Sequence, residues 1–155
     1  MITVKGLTKR YAHNTAVDQI SFEVQQGQIV GFLGPNGAGK TTAIRILTTI
    51  LRPDSGYFTV DGTSSDYPER IRRKIGVLPE SLGFPKHLTA LEYLTYFGRH
   101  YGRTAKEAKS YAQTLLQEVN LQDRANSLIR TYSRGMRQRL GIARALVNDP
   151  VVVFL

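Results

Sequence analysis

Alternating apolar and polar positions predict strands near the start of the chain. Ile20, Phe22 and Val24 alternate with polar neighbours, and a polar turn at 25–28 leads into a continuous apolar run over 29–33. Alternation indicates a half-buried strand, and a short apolar run between turns indicates a fully buried one. The two segments together predict a hairpin.

Helical spacing begins after the glycine-rich segment that follows this run. Ile44, Leu47 and Leu51 recur at three- and four-residue intervals until the turn sequence at 53–56, which predicts one helix over this stretch. Three further elements are predicted before Pro79: a strand at 57–60, a short basic helix at 68–74 and a second strand at 75–78.

The middle of the chain is predicted to be helical. Thr89 with Glu92, and Thr104 with Glu107, have the spacing of a capping box, in which a hydroxyl and a carboxylate satisfy free amides at the start of a helix. In the second of these helices the apolar residues share one face and are predicted to be buried: Ala108, Tyr111, Ala112, Leu115, Leu116 and Val119.

The last elements complete an α/β pattern. A helix is predicted from Ser133 to about Val147, and the β-branched run 151–155 predicts a strand buried on both faces. Strands that alternate with helices imply a mostly parallel sheet, here with an antiparallel portion near the N-terminus. We therefore predict an α/β fold with an all-helical insertion between about 80 and 135.

Composition adds a strong positive charge and excludes several kinds of site. The chain carries 21 Lys and Arg against 12 Asp and Glu, a net charge of +9, and no acidic residue lies between Arg124 and Asn148. The absence of cysteine excludes disulfides and thiolate metal sites, and three scattered histidines do not suggest zinc. No apolar run reaches the ~20 residues of a membrane span, so we expect a soluble cytosolic protein. A basic surface suits a polyanion, but no recognisable nucleic-acid-binding module accompanies the arginines.

The glycine-rich segment matches the pattern G-x-x-x-x-G-K-[ST]. Its glycines let successive backbone N–H groups point inward as a nest, and the following helix directs its positive dipole end at the same point. We predict that Lys40 neutralises the β and γ phosphates of a nucleotide, that Thr41 is a ligand of Mg²⁺, and that Thr42 reaches the α phosphate. The alternative is a glycine-rich turn that carries a lysine by chance. The residues predicted to bind are Gly34, Pro35, Asn36, Gly37, Ala38, Gly39, Lys40, Thr41 and Thr42.

A second motif, Tyr-Ser-Arg-Gly-Met-Arg-Gln-Arg, occupies 132–139. With the first motif it resembles the ATP-binding domain of ABC transporters, a likeness that runs from about Leu7 to the last residue. Ser133 suits an N-cap, and the N–H groups of Arg134, Gly135 and Met136 would make a second anion site. The alternative is that Ser133 only caps a helix whose apolar face packs inward.

The resemblance implies a P-loop NTPase sheet with a helical arm. The nucleotide-binding core would be 1–79 with 136–155, and the helical subdomain 80–135. A dimer is also implied, because in the family the Ser133 site closes over the γ phosphate held by another subunit, so that two ATP molecules lie in a head-to-tail pair. A P-loop kinase or GTPase would share the first motif but leave the second without a purpose.

The resemblance assigns three further residues. Tyr11 would stack on adenine and Val17 would pack on the ribose side, whereas the alternative for Tyr11 is an aromatic residue on a half-buried strand or loop. Glu80 stands where most of the family carries a glutamine that touches Mg²⁺ and the attacking water. It is a candidate catalytic residue with Lys40, and the alternative is a solvated loop carboxylate.

Residues 151–155 resemble the strand that precedes the family's catalytic aspartate and glutamate, the Walker B carboxylates. Because the sequence stops there, we expect these carboxylates and the C-terminal part of the fold to be missing. Little turnover by this polypeptide and a poorly covered apolar end are the expected results.

The resemblance also implies a role. We expect an ATPase that uses ATP and Mg²⁺ and couples their binding and hydrolysis to export through a separate membrane-embedded permease. The permease would dock near 82–101, and the protein would lie at the inner face of the cell membrane. The alternative is a soluble ABC ATPase that acts on ribosomes or nucleic acid, which a salt-dependent nucleic-acid affinity would support.

Overall fold

The computed structural model describes residues 1–79 and 81–155. The chain forms two compact units, Met1–Lys74 and Ile75–Leu155. In the described part, no helix has both the length and the apolar character needed to span a membrane. The predicted division into a core at 1–79 with 136–155 and a helical subdomain at 80–135 stays a prediction.

The first unit is an antiparallel sheet with two short helices. Its elements are β1 (Ile2–Tyr11), β2 (Asn14–Val24), α1 (Lys40–Leu47), β3 (Ser55–Val60), β4 (Thr63–Ser64) and α2 (Pro68–Lys74). The strand order is β2-β1-β3-β4, with every neighbouring pair antiparallel. One face of such a sheet turns inward, and its buried residues include Ile2, Val4, Leu7, Phe58 and Val60.

The second strand of the predicted hairpin does not form. Residues 29–33 belong to neither sheet, and Ile29 and Leu33 are 102% and 94% exposed. The rings of Phe22 and Phe32 make an edge-to-face contact at 5.6 Å. An apolar run becomes a buried strand only where neighbouring strands pair with its peptide groups, and the sheet of this unit provides no such neighbour.

Helix α1 ends at Leu47, earlier than predicted. The Thr48 hydroxyl donates to the Ile44 carbonyl at 2.8 Å, and Thr49 takes a left-handed φ of 63°, which ends a helix. Apolar spacing predicted a later end because it does not report such local hydrogen bonds.

The second unit combines helices with a two-stranded parallel sheet. Its elements are β5 (Ile75–Val77), α3 (Ala90–His100), α4 (Ala105–Glu118), two 3-10 helices (Gln122–Arg124 and Ile129–Thr131), α5 (Arg134–Ala145) and β6 (Val152–Phe154). The core cluster joins all three α-helices and includes Leu94, Leu115, Leu116, Leu121, Ile129 and Leu140.

Strand β6 is shorter and less buried than predicted. It pairs in parallel with β5, and Phe154 is 8% exposed, whereas Val153 and Leu155 are 37% and 79% exposed. Burial of 151–155 on both faces was therefore a wrong expectation, because the alternate residues Val153 and Leu155 stay exposed while Phe154 between them is buried. The expectation of a poorly covered apolar end agrees with the exposure of Val153 and Leu155. Among the described residues, β5 and β6 form a parallel pair, whereas the four-stranded sheet of the first unit is antiparallel.

Both predicted capping boxes are present. The Thr89 hydroxyl accepts from the Glu92 amide at 3.2 Å, and the Glu92 carboxylate accepts from the Thr89 amide at 2.8 Å. Thr104 and Glu107 make the same pair of bonds at 3.3 and 2.9 Å. The two boxes fix the starts of α3 and α4.

These boxes predict acid-sensitive stability. The amide and hydroxyl of Thr89 lower the pKa of Glu92 below its ordinary 4.5, and the hydroxyl and amide of Thr104 lower the pKa of Glu107 likewise. Lowered folded-state pKa values mean that this stabilisation is present above about pH 4.5 and is lost as the pH falls through the lowered values.

The doubly substituted Glu92→Gln, Glu107→Gln protein should therefore lose less of its urea midpoint between about pH 7 and about pH 3. Glu118→Gln, at the other end of α4, is the control and should behave like the parent. An undiminished acid loss in the double variant would contradict the prediction.

Candidate functional site

The glycine-rich segment is an exposed loop that leads into α1. Gly34, Gly37 and Gly39 have φ angles of 149°, 85° and 81°, which glycine adopts without the steric cost that a Cβ imposes. Residues 34–38 are exposed. The loop therefore follows a backbone path that other residues resist, and its outer surface is accessible.

Gly39 lies where two backbone segments approach closely. A Cβ at this position would be 1.9 Å from the carbonyl oxygen of Ala16 on β2, so only glycine fits. Gly39 is also the N-cap of α1, and it provides no side-chain cap. The positive end of the helix dipole therefore remains available to an anion.

The ammonium group of Lys40 lies within the loop. Its Nζ donates to the carbonyl oxygens of Gly34 at 2.6 Å and Pro35 at 2.7 Å. Anionic phosphate oxygens would be stronger acceptors for the same group. Thr41 and Thr42, also predicted to bind, are the next two residues of α1.

Tyr11 and Val17 lie on the two strands of the β1–β2 hairpin. Tyr11 ends β1 and is 45% exposed, and the Lys9 Nζ is 5.8 Å from its ring centroid. Val17 is buried, and its Cγ2 would be 3.4 Å from a Cβ at Gly39. The structure thus brings Val17 to the start of α1 and leaves Tyr11 accessible at a strand end.

Helix α5 of the second unit also begins at an exposed turn. Ser133 is its N-cap, and the Ser133 Oγ accepts from the Met136 amide at 3.2 Å. Ser133, Arg134 and Gly135 are exposed, and Met136 is half-buried. The capping role of Ser133 is present, and it does not close the helix start to an anion.

The first two residues of α5 are poor choices for helix stability. The cation of Arg134 opposes the helix dipole, and a glycine such as Gly135 costs about 1 kcal/mol relative to alanine inside a helix. Packing does not require this glycine, because a Cβ there would meet no atom within 4 Å. Residues that disfavour the local helix in this way are typical of functional sites.

Arginines that follow this turn serve the fold. Arg137 donates to the Tyr132 carbonyl at 2.8 Å, and Arg139 donates to the carbonyls of Val119 and Asn120 at 3.2 and 2.9 Å, just past α4. A guanidinium stabilises carbonyl groups left free at a helix end. Part of the basic stretch is thereby committed to structure rather than to a polyanion.

An apolar groove of about 350 Å³ lies beside α3 in the second unit. One cation shares it with aromatic rings, since Arg144 is 3.5 Å from the Tyr93 hydroxyl and 5.5 Å from the Phe97 centroid. Apart from Arg144, the residues that line the groove lie within the predicted docking region 82–101. Its lining includes Leu82, Pro85, Tyr93, Tyr96, Phe97 and Arg144.

One predicted catalytic residue, Glu80, lies outside the described residues, and its role stays a prediction. Elsewhere in the described chain, no group of three His, Asp or Glu side chains could hold a metal ion. Ala16 was not identified from the sequence, because a backbone carbonyl makes its contact with Gly39 and no side-chain pattern reports it.

Comparison with known proteins decides the family. The family model described as ABC transporter matches residues 17–155. The chain belongs to the ABC transporter family. This ABC protein is 40% identical to Nod factor export ATP-binding protein I of Ralstonia nicotianae, over 100% of the chain and 49% of that relative. It is 41% identical to daunorubicin resistance ATP-binding protein DrrA3 of Streptomyces coeruleorubidus, over 99% of the chain and 49% of that relative.

Relatives and solved structures agree on the fold. ABC transporter ATP-binding protein NatA of Bacillus subtilis is 38% identical over 99% of the chain and 65% of its own length. A dimeric ATP-binding cassette, MJ0796, in a post-hydrolysis state bound to ADP and Pi, has a TM-score of 0.85 and 28% identity, covering 99% of this chain and 72% of that one. The ABC protein thus spans about half the length of the first two relatives, and the predicted family and fold class are confirmed.

The contact between Gly39 and Ala16 yields a stability prediction. Gly39→Ala should lower the free energy of unfolding by about 2 kcal/mol or more, because a clash with a backbone carbonyl adds to the strain of a positive φ. Urea unfolding measures the change. Gly37→Ala is the matched control, since its φ is 85° and no atom lies within 4 Å of a Cβ there, so only the strain of about 1–2 kcal/mol applies. Equal losses would contradict the close approach.

Proposed function

We propose that this ABC protein is the ATP-binding subunit of an exporter, coupling ATP binding and hydrolysis to transport through a separate membrane permease. One observation carries the proposal: each unit contains an accessible helix start, which α1 reaches from the exposed loop at 34–38 and which α5 forms with its exposed N-cap Ser133 and its first residues Arg134 and Gly135. Such starts bind anions. The names of relatives, which include Nod factor export and daunorubicin resistance, support an exporter.

The loop before α1 fits a triphosphate. Residues 34–39 would surround the β phosphate, and Lys40 would exchange the two loop carbonyls for β and γ phosphate oxygens. Thr42 would reach the α phosphate. Accessible Tyr11 would stack on adenine, and Val17, beside Gly39, would pack on the ribose side.

Thr41 is the residue that would hold Mg²⁺. A hydroxyl oxygen is a hard donor of the kind that Mg²⁺ prefers, and phosphate oxygens and waters would complete its shell. When bound, the metal would neutralise charge on the phosphates during hydrolysis. Lys40, and Glu80 in its predicted role, would position the groups around the γ phosphate.

A second copy or a paired ATP-binding subunit would complete the site. Ser133 and the amides of Arg134, Gly135 and Met136 would contact the γ phosphate held by the other subunit's P-loop. The open space beside Gly135 suits a close approach, and the cation of Arg134 suits an anionic ligand. Phosphate binding would explain why residues that disfavour a helix, Arg134 and Gly135, stand at the start of α5.

The permease would dock on the groove beside α3. Apolar and aromatic side chains surround the groove, as a helix-in-groove contact requires. This arrangement would hold the subunit at the inner face of the cell membrane. The described structure provides no second observation in favour of ribosome or nucleic-acid binding.

Lys40→Ala should weaken ATP binding by about 10- to 100-fold, because it removes charge-assisted hydrogen bonds of about 1.5–3 kcal/mol. Isothermal titration calorimetry with Mg²⁺ and ATP measures the affinity. Lys106→Ala, an exposed change on α4, is the control and should bind as the parent does. Unchanged affinity in Lys40→Ala would overturn the nucleotide assignment.

Ser133→Asp separates capping from phosphate binding. Aspartate is an N-cap as good as serine, so the free energy of unfolding should stay within about 0.5 kcal/mol. Its charge would repel a γ phosphate, and ATP-dependent dimer formation, measured by sedimentation, should weaken at least about tenfold. Thr104→Asp also places a carboxylate at a helix N-cap, that of α4, and should leave the dimer intact. A dimer that survives Ser133→Asp would refute the second anion site.

A further inference from the structure

Helix α5 and the residues just after it contact the segment that begins with β5 at four successive levels. Asn148 Nδ2 donates to one strand carbonyl at 2.9 Å, and an Arg144 Nη donates to another at 3.4 Å. At two further levels a glycine permits contact that a side chain would block. The contacts pair Asn148 with Ile75, Ala145 with Gly76, Arg144 with Val77, and Gly141 with both Leu78 and Leu82.

The two glycines differ in what they contact. A Cβ at Gly76 would lie 2.0 Å from the Ala145 carbonyl oxygen, which belongs to the helix backbone and cannot move aside. A Cβ at Gly141 would lie 2.6 Å from Leu78 Cδ1 and 2.7 Å from Leu82 Cδ2. These are the far ends of flexible side chains and can rotate away. Gly76 is therefore a requirement of the fold, whereas Gly141 determines where two leucines lie.

The position of Leu82 matters because it lines the apolar groove, together with Arg144 of α5. The same helix starts at Ser133, about 12 Å along its axis from Gly141 at 1.5 Å per residue. No proline interrupts α5. One uninterrupted helix thus carries the second anion site at its start, Gly141 about two turns later and the groove-lining Arg144 about three turns later.

We propose that Gly141 is a positioning residue that seats Leu82 on α5, so that occupancy of the groove and phosphate binding at Ser133 are coupled through this helix. The coupling rests on the proposed function, whereas the seating of Leu82 does not. If α5 moves when phosphate binds at its start, Leu82 moves with it only while the contact between Gly141 and Leu82 persists.

The seating is tested first, without nucleotide. The chain contains no tryptophan, so Tyr96→Trp, at an exposed groove position, adds a single reporter to the natural protein. In this background Gly141→Ala should shift the tryptophan emission, and so should Leu82→Ala, which removes the contact from the other side. The double variant should return toward the parent, because the added methyl group occupies space vacated by the leucine. Identical emission in all four proteins would overturn the proposal.

Stability separates positioning from a structural defect. Gly141→Ala should unfold at the parent's urea midpoint or above it, since alanine favours a helix. Gly76→Ala should unfold at a clearly lower midpoint. If Gly141→Ala does not fold, the emission of Leu82→Ala still decides, and an unshifted value overturns the seating.

Coupling is tested by adding Mg²⁺ and ATP to the same four proteins, with dimer formation followed by sedimentation. With Gly141 and Leu82 intact, dimer formation should change the emission of the tryptophan reporter. In either single variant the change should shrink ~threefold or more although the dimer forms. A full change in both single variants overturns the coupling alone. No ATP-dependent dimer in the reporter protein would overturn the proposed function and the coupling with it.

Discussion

The close approach of the Ala16 carbonyl to Gly39 fixes the start of α1 against the sheet of the first unit. An anion site made of backbone N–H groups needs glycines at such close approaches, because a larger side chain would occupy the space of the ligand. The loop before Gly39 therefore relies on glycine at positions with positive φ. Lys40 can lie over the loop because the helix starts at this point and no side chain caps it.

The second unit also presents an exposed helix start, but here a side chain caps the helix. Ser133 caps α5 with its own hydroxyl. The next two residues leave the helix start accessible to an anion. Arg134 introduces no opposing carboxylate, and Gly135 introduces no Cβ. Further along the helix, guanidinium groups bind carbonyls of neighbouring segments. The basic stretch therefore divides between residues that stabilise this unit and residues left available near the helix start.

Local features were predictable from the sequence, and features that depend on distant partners were not. The capping box of Thr89 and Glu92 follows from residues three apart, as does the cap at Ser133. The glycine-rich motif and the 132–139 motif together indicated the family. Whether 29–33 pairs as a strand depends on neighbours far away in sequence, and the Leu47 end of α1 depends on a threonine hydrogen bond. The proposed role of Gly141 likewise depends on Leu82, a residue far away in sequence.

Residues 29–33 combine strong β-propensity, no charge and nearly bare Ile29 and Leu33 side chains. Segments of this kind tend to add to exposed sheet edges of other molecules. The net charge of +9 opposes such encounters because copies repel one another. At 0.1 M salt, that repulsion is largely screened beyond about 10 Å. The colloidal behaviour of this ABC protein is thus tied to ionic strength, and a dilute low-salt buffer suits it better than a concentrated saline one.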